Sequence, residues 1–194
     1  MSSINGLIHD GKHIGGCTLT TKQGIEIEKK FKVKNENLPA RFAEYEHYKI
    51  RQGYFTRSGD SVEIRMRLEK HGDKESCYIT RKRGSGIERE EVESPIKTGE
   101  YYEFMWGVNT IRKERFVIPH EGFVIEVDVY DYDPNKPFSE MNMVAEIELE
   151  SADQLDGVEL PKWIGEEVTG RPEYSNAMIA ENGFPIEKAE EQKM

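Results

Sequence analysis

The chain has 194 residues, 36% of them hydrophobic and 33% charged, and 27 Lys and Arg against 37 Asp and Glu give a formal net charge of −10. This length fits one domain, and the acidic balance argues against general binding to nucleic acid or to an anionic membrane surface. The sequence contains no apolar run of the roughly 20 residues needed to span a bilayer. The two cysteines, Cys17 and Cys77, are expected to be free thiols in a reducing compartment, which predicts a cytoplasmic protein.

The N-terminal residues differ in pattern from the rest of the chain. Residues 1–23 contain glycines and small polar residues without a hydrophobic period, which predicts a flexible arm. From Gly24 onwards, apolar and charged residues alternate with a period of two, which is typical of a β-strand. The predicted domain spans residues 24–182, and residues 183–194 are expected to form a charged tail.

The same alternation predicts further strands in chain order, at about 48–55, 62–68, 78–83, 88–93, 112–118, 123–130 and 143–150. Short helices are expected at 38–42, 99–106, 151–155, 163–168 and 175–180. About eight antiparallel strands are enough to close a barrel that holds side chains or one small ligand. The predicted fold class is therefore α+β but β-dominated, a closed antiparallel barrel, or tunnel, with short flanking helices.

One face of nearly every predicted strand is ionisable. An ordinary sheet with a solvated charged face accounts for this about as well on composition alone. However, the signs are segregated, because carboxylates dominate the first strand and the last two, whereas cations dominate the strands at Arg65, Lys82 and Lys113. Closing such a sheet into a barrel would produce an acidic wall that faces a basic wall.

A tunnel of this kind suits a polyphosphate chain. Arginine binds phosphate oxygens with two parallel hydrogen bonds, and lysine supplies a point charge. Carboxylates bind phosphate only through an intervening cation. Since the acidic wall offers oxygen ligands alone, we expect Mg²⁺ or Mn²⁺ as the cofactor in preference to zinc.

Short charged motifs also follow one another along the chain in a fixed order. They are Glu26-Ile27-Glu28-Lys29-Lys30, Arg51-Gln52-Gly53-Tyr54, Arg65-Met66-Arg67, Thr80-Arg81-Lys82, Arg89-Glu90-Glu91-Val92-Glu93, Lys113-Glu114-Arg115, Glu126-Val127-Asp128 and Glu146-Ile147-Glu148. The first motif alone is a weak signal, but the ordered set resembles the CYTH superfamily, also called triphosphate tunnel metalloenzymes, over about residues 24–180. Residues 160–169 resemble a helix of the small bacterial members, and those members imply hydrolysis of inorganic tripolyphosphate.

The resemblance implies a role for each matched residue. Lys30 and Tyr54 would be catalytic and would orient or deprotonate the attacking water. The implied metal ligands are Glu26, Glu28, Asp128, Glu146 and Glu148. The implied phosphate-binding residues are Lys30, Arg65, Arg67, Lys82, Arg89, Lys113 and Arg115.

Other functions stay open at this point. Class IV adenylate cyclases and thiamine triphosphatases belong to the same superfamily, although no motif here supplies a pocket for a base. A non-catalytic polyphosphate-binding module is a further alternative, but a binder of anions gains nothing from carboxylates without metal. The expected partner is therefore tripolyphosphate or a nucleoside or organic triphosphate, and family habit suggests a homodimer.

Overall fold

The computed structural model describes residues 13–14, 17–18, 21–56, 60–84 and 88–186, and most of these residues build one closed antiparallel barrel. Its strands are β1 (Lys22–Val33), β2 (Glu46–Tyr54), β3 (Val62–His71), β4 (Lys74–Arg83), β5 (Glu88–Ile96), β6 (Thr110–His120), β7 (Phe123–Tyr130) and β8 (Asn142–Leu149). The order around the barrel is β1-β5-β4-β3-β2-β6-β7-β8, and pairing of β8 with β1 closes it. The predicted β-dominated barrel of about eight strands is confirmed.

The remaining described elements are short and lie between or beyond the barrel strands. They are β9 (Ile164–Glu167), the helices α1 (Thr98–Phe104) and α2 (Asn176–Asn182), and 3-10 turns at Asn35–Asn37, Phe42–Glu44, Phe138–Glu140 and Pro172–Tyr174. Helices α1 and α2 confirm those predicted at 99–106 and 175–180. The helices predicted at 38–42 and 151–155 are wrong, since both segments form only turns.

The helix predicted over residues 163–168 is also wrong, because this segment contains strand β9. It pairs with the end of β1, beyond the point at which β5 leaves that edge. The unpaired backbone groups of this edge favour a strand, and so short a segment carries no strong helical preference of its own. The close approach needs a glycine, since a Cβ at Gly165 would lie 3.0 Å from the backbone oxygen of Lys32.

Most residues at the two ends of the chain lie outside the part that the structure describes. The arm predicted over 1–23 and the tail predicted over 183–194 consist mainly of residues that the structure does not describe, and both stay predictions. Two short strands, His13–Ile14 and Cys17–Thr18, pair with each other, and β1 begins at Lys22, slightly before the predicted boundary. Within the described ranges, no helix is long and apolar enough to cross a membrane.

The apolar core lies on the outside of the barrel wall. The outer faces of β7 and β8 pack under the segments around Phe42 and Trp163, and Val127 and Ile147 are fully buried there. A second apolar cluster lies beneath α1, where Tyr101 covers Met66 and its neighbours. Because side chains alternate across each strand, burying the apolar phase outside turns the charged phase into the barrel.

Candidate functional site

The barrel encloses a cavity of about 530 Å³, which lies within the usual size range of small-ligand sites. Its walls are mostly polar and charged. Of the site residues assigned from the sequence, all line the cavity except Lys113 and Asp128, which are buried beside Arg115. The structure therefore brings together side chains from all eight barrel strands, as the charge pattern predicts.

The acidic wall is built by β1, β8 and β7. Glu28 on β1 lies directly opposite Glu148 on β8, and Glu146 lies directly opposite Glu126 on β7. Like charges at opposed positions of neighbouring strands repel each other, so this wall requires a cation. The ammonium group of Lys30 supplies one, since it contacts Glu146 and lies 2.8 Å from Oε1 of Glu28.

The carboxylate of Glu26 is held by cations from the neighbouring strand β5 and from β4 beyond it. The Nζ atom of Lys82 lies 2.5 and 2.6 Å from its two oxygens, and Arg89 approaches one of them to 3.3 Å. Lys82 also contacts Glu91 at 2.9 Å. The first-strand carboxylate and the basic wall therefore neutralise each other in this structure.

Arg115 is the centre of a buried network at the junction of β6, β7 and β8. Its Nε and one terminal nitrogen donate to the two oxygens of Asp128 at 2.7 and 2.8 Å, and that nitrogen also donates to Glu146 at 2.6 Å. Arg115 contacts Glu126 as well, and Lys113 contacts Asp128. Burial, followed by the charge of Arg115, lowers the pKa of Lys113 to about 8.

Asp128 and Lys113 occupy positions that their motifs alone do not reveal. Asp128 is 0% exposed, and both of its oxygens accept hydrogen bonds from Arg115. A two-point contact of this type fixes the plane of the guanidinium group. Asp128 thus orients Arg115 towards the cavity. Lys113 lies behind this contact and does not line the cavity.

Arg65 differs from the other cations that line the tunnel. It forms no ion pair with any described carboxylate and instead shares a side-chain hydrogen bond with Tyr54. Like that of Arg67, its buried Nε has no hydrogen-bond partner among the described residues. Burial lowers the pKa of Arg65, but the surrounding groups, Tyr54 first and then Glu63, outweigh burial and raise the pKa above its ordinary value. A charged guanidinium with an unsatisfied buried N–H group is a ready binding point for an anion.

Lys30 and Tyr54 both keep their protons at neutral pH. Burial lowers the pKa of Lys30, but the charges of Glu146 and Glu28 outweigh burial and raise the pKa well above its ordinary value. Burial raises the pKa of Tyr54, whose hydroxyl accepts a hydrogen bond of 2.6 Å from Gln52. Of the two roles implied by the resemblance, these directions favour orienting the water over deprotonating it.

One end of the tunnel is closed by a segment that follows β9. Side chains from this segment complete the cavity lining, and Tyr130 donates a 2.7 Å hydrogen bond to Asn176 at the start of α2. Val144, Val168 and Ile179 pack beside that contact. The lining residues of this segment are Thr169, Gly170, Arg171, Pro172, Ser175 and Asn176. Sequence reasoning missed them, because small polar residues in a turn carry no periodic signal.

The carboxylates of the acidic wall offer oxygen atoms only, which is the donor set that Mg²⁺ and Mn²⁺ prefer. In the described part of the chain, no three His, Cys, Asp or Glu side chains are arranged to hold a metal. Glu26, Glu28 and Glu146 are each drawn to a lysine instead, and Glu148 is 67% exposed, with Lys22 at 3.8 Å. The residues fit a hard divalent cation by their chemistry and by the repulsion between Glu28 and Glu148.

Known proteins share both the sequence and the fold of this chain, although no protein-family model matches it. The chain is 36% identical over 166 residues to the inorganic triphosphatase of Acetivibrio thermocellus, covering 83% of this chain and 96% of that protein. Identity to the inorganic triphosphatase of Nitrosomonas europaea is 31% over 162 residues, covering 80% and 96%.

The comparison of structures agrees. A crystal structure of an inorganic triphosphatase matches 80% of this chain and 93% of its own chain, with a TM-score of 0.52 and 30% identity. Relatives above 30% identity are matched over almost their whole length, and the charged motifs line one closed barrel. The chain belongs to the CYTH superfamily of triphosphate tunnel metalloenzymes, among the bacterial inorganic triphosphatases.

Proposed function

We propose that this protein hydrolyses a phosphoanhydride bond of inorganic tripolyphosphate inside the barrel, with Mg²⁺ or Mn²⁺ as cofactor. The observation that carries the proposal is the tunnel itself, in which a basic wall, including an Arg65 that pairs with no described carboxylate, faces a wall of opposed carboxylates. The inorganic triphosphatases to which the chain is similar support the same substrate.

Arg65 is the proposed first contact of the substrate. It has no described carboxylate to release before it binds a phosphate oxygen, because its contact in the tunnel is with the side chain of Tyr54. Lys82, Arg89, Arg67 and Arg115 already hold carboxylates and would extend the grip to further phosphate oxygens. Such fixed cations stabilise the charge that spreads over the transferred phosphoryl group.

Glu26, Glu28, Glu146 and Glu148 are the proposed metal ligands. When bound there, a divalent ion would neutralise phosphate oxygens and lower the pKa of a water molecule. Asp128 belonged to the same set by resemblance, but its contacts support a role in orienting Arg115. A carboxylate whose lysine partner turns to the substrate would gain the metal ion as its new partner. The positive and negative charges inside the tunnel would therefore stay balanced.

Lys30 and Tyr54 are proposed to orient the attacking water and the phosphate beside it. Both groups are protonated and can donate hydrogen bonds, and Gln52 fixes the Tyr54 hydroxyl. Positioning of this kind accounts for much of the rate enhancement in phosphoryl transfer.

The cavity favours an inorganic substrate over a nucleoside triphosphate. Among the described lining residues, Val117 and Pro172 are the only aliphatic side chains, and the end of the tunnel is closed by the contact between Tyr130 and Asn176. The rings of Tyr48 and Tyr54 are the only aromatic surfaces among the described lining residues, so a purine base would give up its hydration here for little apolar surface in return. The cavity therefore gives the cyclase alternative little support.

A substrate panel tests the proposal. Phosphate release is measured from tripolyphosphate, ATP and thiamine triphosphate, each with Mg²⁺ and with Mn²⁺. We expect the highest kcat/KM with tripolyphosphate and no turnover after chelation of the metal. Formation of cyclic AMP from ATP would establish the cyclase instead. Tight calorimetric binding of tripolyphosphate without turnover under either metal would establish the non-catalytic binder.

A further inference from the structure

Lys30 lies at a gap in the hydrogen-bonding edge of β1. Strand β5 pairs with this edge as far as Ile27, and β9 pairs with it from Phe31 onwards. In between, the carbonyl of Lys30 accepts a hydrogen bond of 2.8 Å from the N–H of Val168. The N–H of Lys30 finds no backbone acceptor there and donates to the side-chain oxygen of Thr169 at 3.0 Å.

The hydroxyl of Thr169 thus takes the place of the backbone acceptor that a neighbouring strand would offer to Lys30, the residue whose ammonium group lies in the tunnel. Thr169 also lines the cavity, and the next residue, Gly170, has a φ of +74°, a left-handed conformation that turns the chain towards α2. The segment that closes the tunnel is therefore attached directly to the backbone of Lys30. From β7, Tyr130 holds the same segment through Asn176.

The backbone position of Lys30 determines where its ammonium lies. Its Nζ contacts Glu146 and lies 2.8 Å from Glu28, so a displaced backbone would move it away from both carboxylates. We propose that Thr169 is a positioning residue, whose hydroxyl holds Lys30 in its working geometry only when the closing segment is seated on the tunnel. This inference rests on the proposed hydrolysis and on the role of Lys30 in it.

Steady-state kinetics of two matched variants test the proposal. Thr169→Val keeps the shape of the side chain but removes the acceptor, and Thr169→Ser keeps the acceptor. We expect kcat with tripolyphosphate to fall roughly tenfold in Thr169→Val, with KM changed by less than about twofold, because misplacement of a reacting group acts on the transition state. Thr169→Ser should stay within about twofold of the wild type. A normal kcat in Thr169→Val, or an equal loss in both variants, would overturn the proposal.

A double-mutant cycle separates positioning from a general structural effect. In a Lys30→Gln background, Thr169→Val should lower kcat no further, since the group that it positions is absent. A second full loss in that background would show that Thr169 acts elsewhere. Thr169→Ala replaces Thr169→Val in the cycle if circular dichroism shows that the valine variant does not fold.

A measurement without substrate distinguishes this inference from the proposed function. The amide proton of Lys30 should exchange with solvent faster in Thr169→Val than in Thr169→Ser, as followed by NMR. A wild-type protein without turnover would contradict the hydrolysis, and the exchange rates would still report on the contact. Equal exchange in both variants would contradict the role of Thr169 whatever the activity.

Discussion

The Nζ atom of Lys82 lies 2.5 Å from Oε1 and 2.6 Å from Oε2 of Glu26, although β5 separates their strands in the barrel. Lys82 is 3% exposed, so this ion pair is almost completely removed from water. These two side chains therefore neutralise each other inside the tunnel. In the proposed reaction, a metal ion and a polyphosphate would take over as their partners, so that neither buried charge would be left without a counter-charge.

Replacing Lys82 by glutamine should weaken both substrate binding and the fold. Loss of a cation from the basic wall is expected to raise KM for tripolyphosphate roughly tenfold. Glu26 would keep only the 3.3 Å contact with Arg89, and breaking a buried pair of this kind costs about 3 kcal/mol in the free energy of unfolding. Steady-state kinetics and urea denaturation measure the two effects.

Lys70→Gln is the matched control, because Lys70 pairs with Glu75 at 3.5 Å on a largely solvated surface. Surface pairs contribute little, so its free energy of unfolding should change by less than about 0.5 kcal/mol and its KM should not change. An unaltered KM in Lys82→Gln would show that this lysine serves the barrel alone and does not grip phosphate.

Asp128 and Glu148 should behave in opposite ways, although both were assigned to the metal from their motifs. Asp128→Asn removes the charge that holds Arg115 and Lys113, so the free energy of unfolding should fall by about 3 kcal/mol. Glu148→Gln affects an exposed side chain and should change stability by less than about 0.5 kcal/mol while it lowers activity. Urea denaturation and phosphate release, measured on both variants, decide the assignment. A stable Asp128→Asn protein that requires more metal would restore Asp128 to the ligand set.

The barrel was predictable from the sequence because apolar and charged residues alternate along most of its strands. β7 matches its predicted bounds of 123–130, since apolar and charged residues alternate from Ile125 to Val129. Segregation of the charges also identified the tunnel face, because only one phase of each strand can face inwards. The residues that line the cavity from the barrel strands follow from these two regularities.

Contacts that depend on tertiary geometry could not be predicted in the same way. The sequence predicts a helix where β9 lies, because the composition of this segment does not indicate a strand. Its strand conformation is set by the free edge of β1. Thr169 acquires its acceptor role only where two strand pairings leave a gap. Likewise, Glu126 and Asp128 are two residues apart, as are the proposed metal ligands Glu26 and Glu28. Only the burial of Asp128 against Arg115 separates the role of Asp128 from that of Glu126.

Ionisation of Tyr101 should limit stability in alkaline solution. Burial raises the pKa of its hydroxyl to about 12, and the hydroxyl donates a 3.0 Å hydrogen bond to the backbone oxygen of Arg51. Because the folded state holds this proton more tightly than the unfolded chain, the contribution is complete below pH of about 10 and is lost as the pH rises towards 12. Urea midpoints should therefore fall more steeply with pH in the wild type than in Tyr101→Phe.

The slope should not vanish in Tyr101→Phe, because burial also raises the pKa values of Tyr54 and Tyr130. Tyr102→Phe, on the exposed side of the same helix, is the control and should keep the slope of the wild type. Equal slopes in Tyr101→Phe and the wild type would show that α1 does not stay docked at high pH.

Replacing Glu28 by glutamine should weaken stabilisation by metal more than it weakens the metal-free protein. Glu28 lies opposite Glu148, so the substitution removes a repulsion, and Lys30 keeps its contact with Glu146. The substitution also breaks the 2.8 Å pair of Glu28 with Lys30, so the melting temperature without metal should fall slightly below that of the wild type. Mn²⁺ stabilises the folded state by RT ln(1 + [Mn²⁺]/Kd), and the concentration that gives the same upward shift as in the wild type should rise roughly tenfold or more. Glu75→Gln, which removes an exposed carboxylate of β4, should shift like the wild type. A variant that melts early but keeps its response to Mn²⁺ would make Glu28 a partner of Lys30 alone.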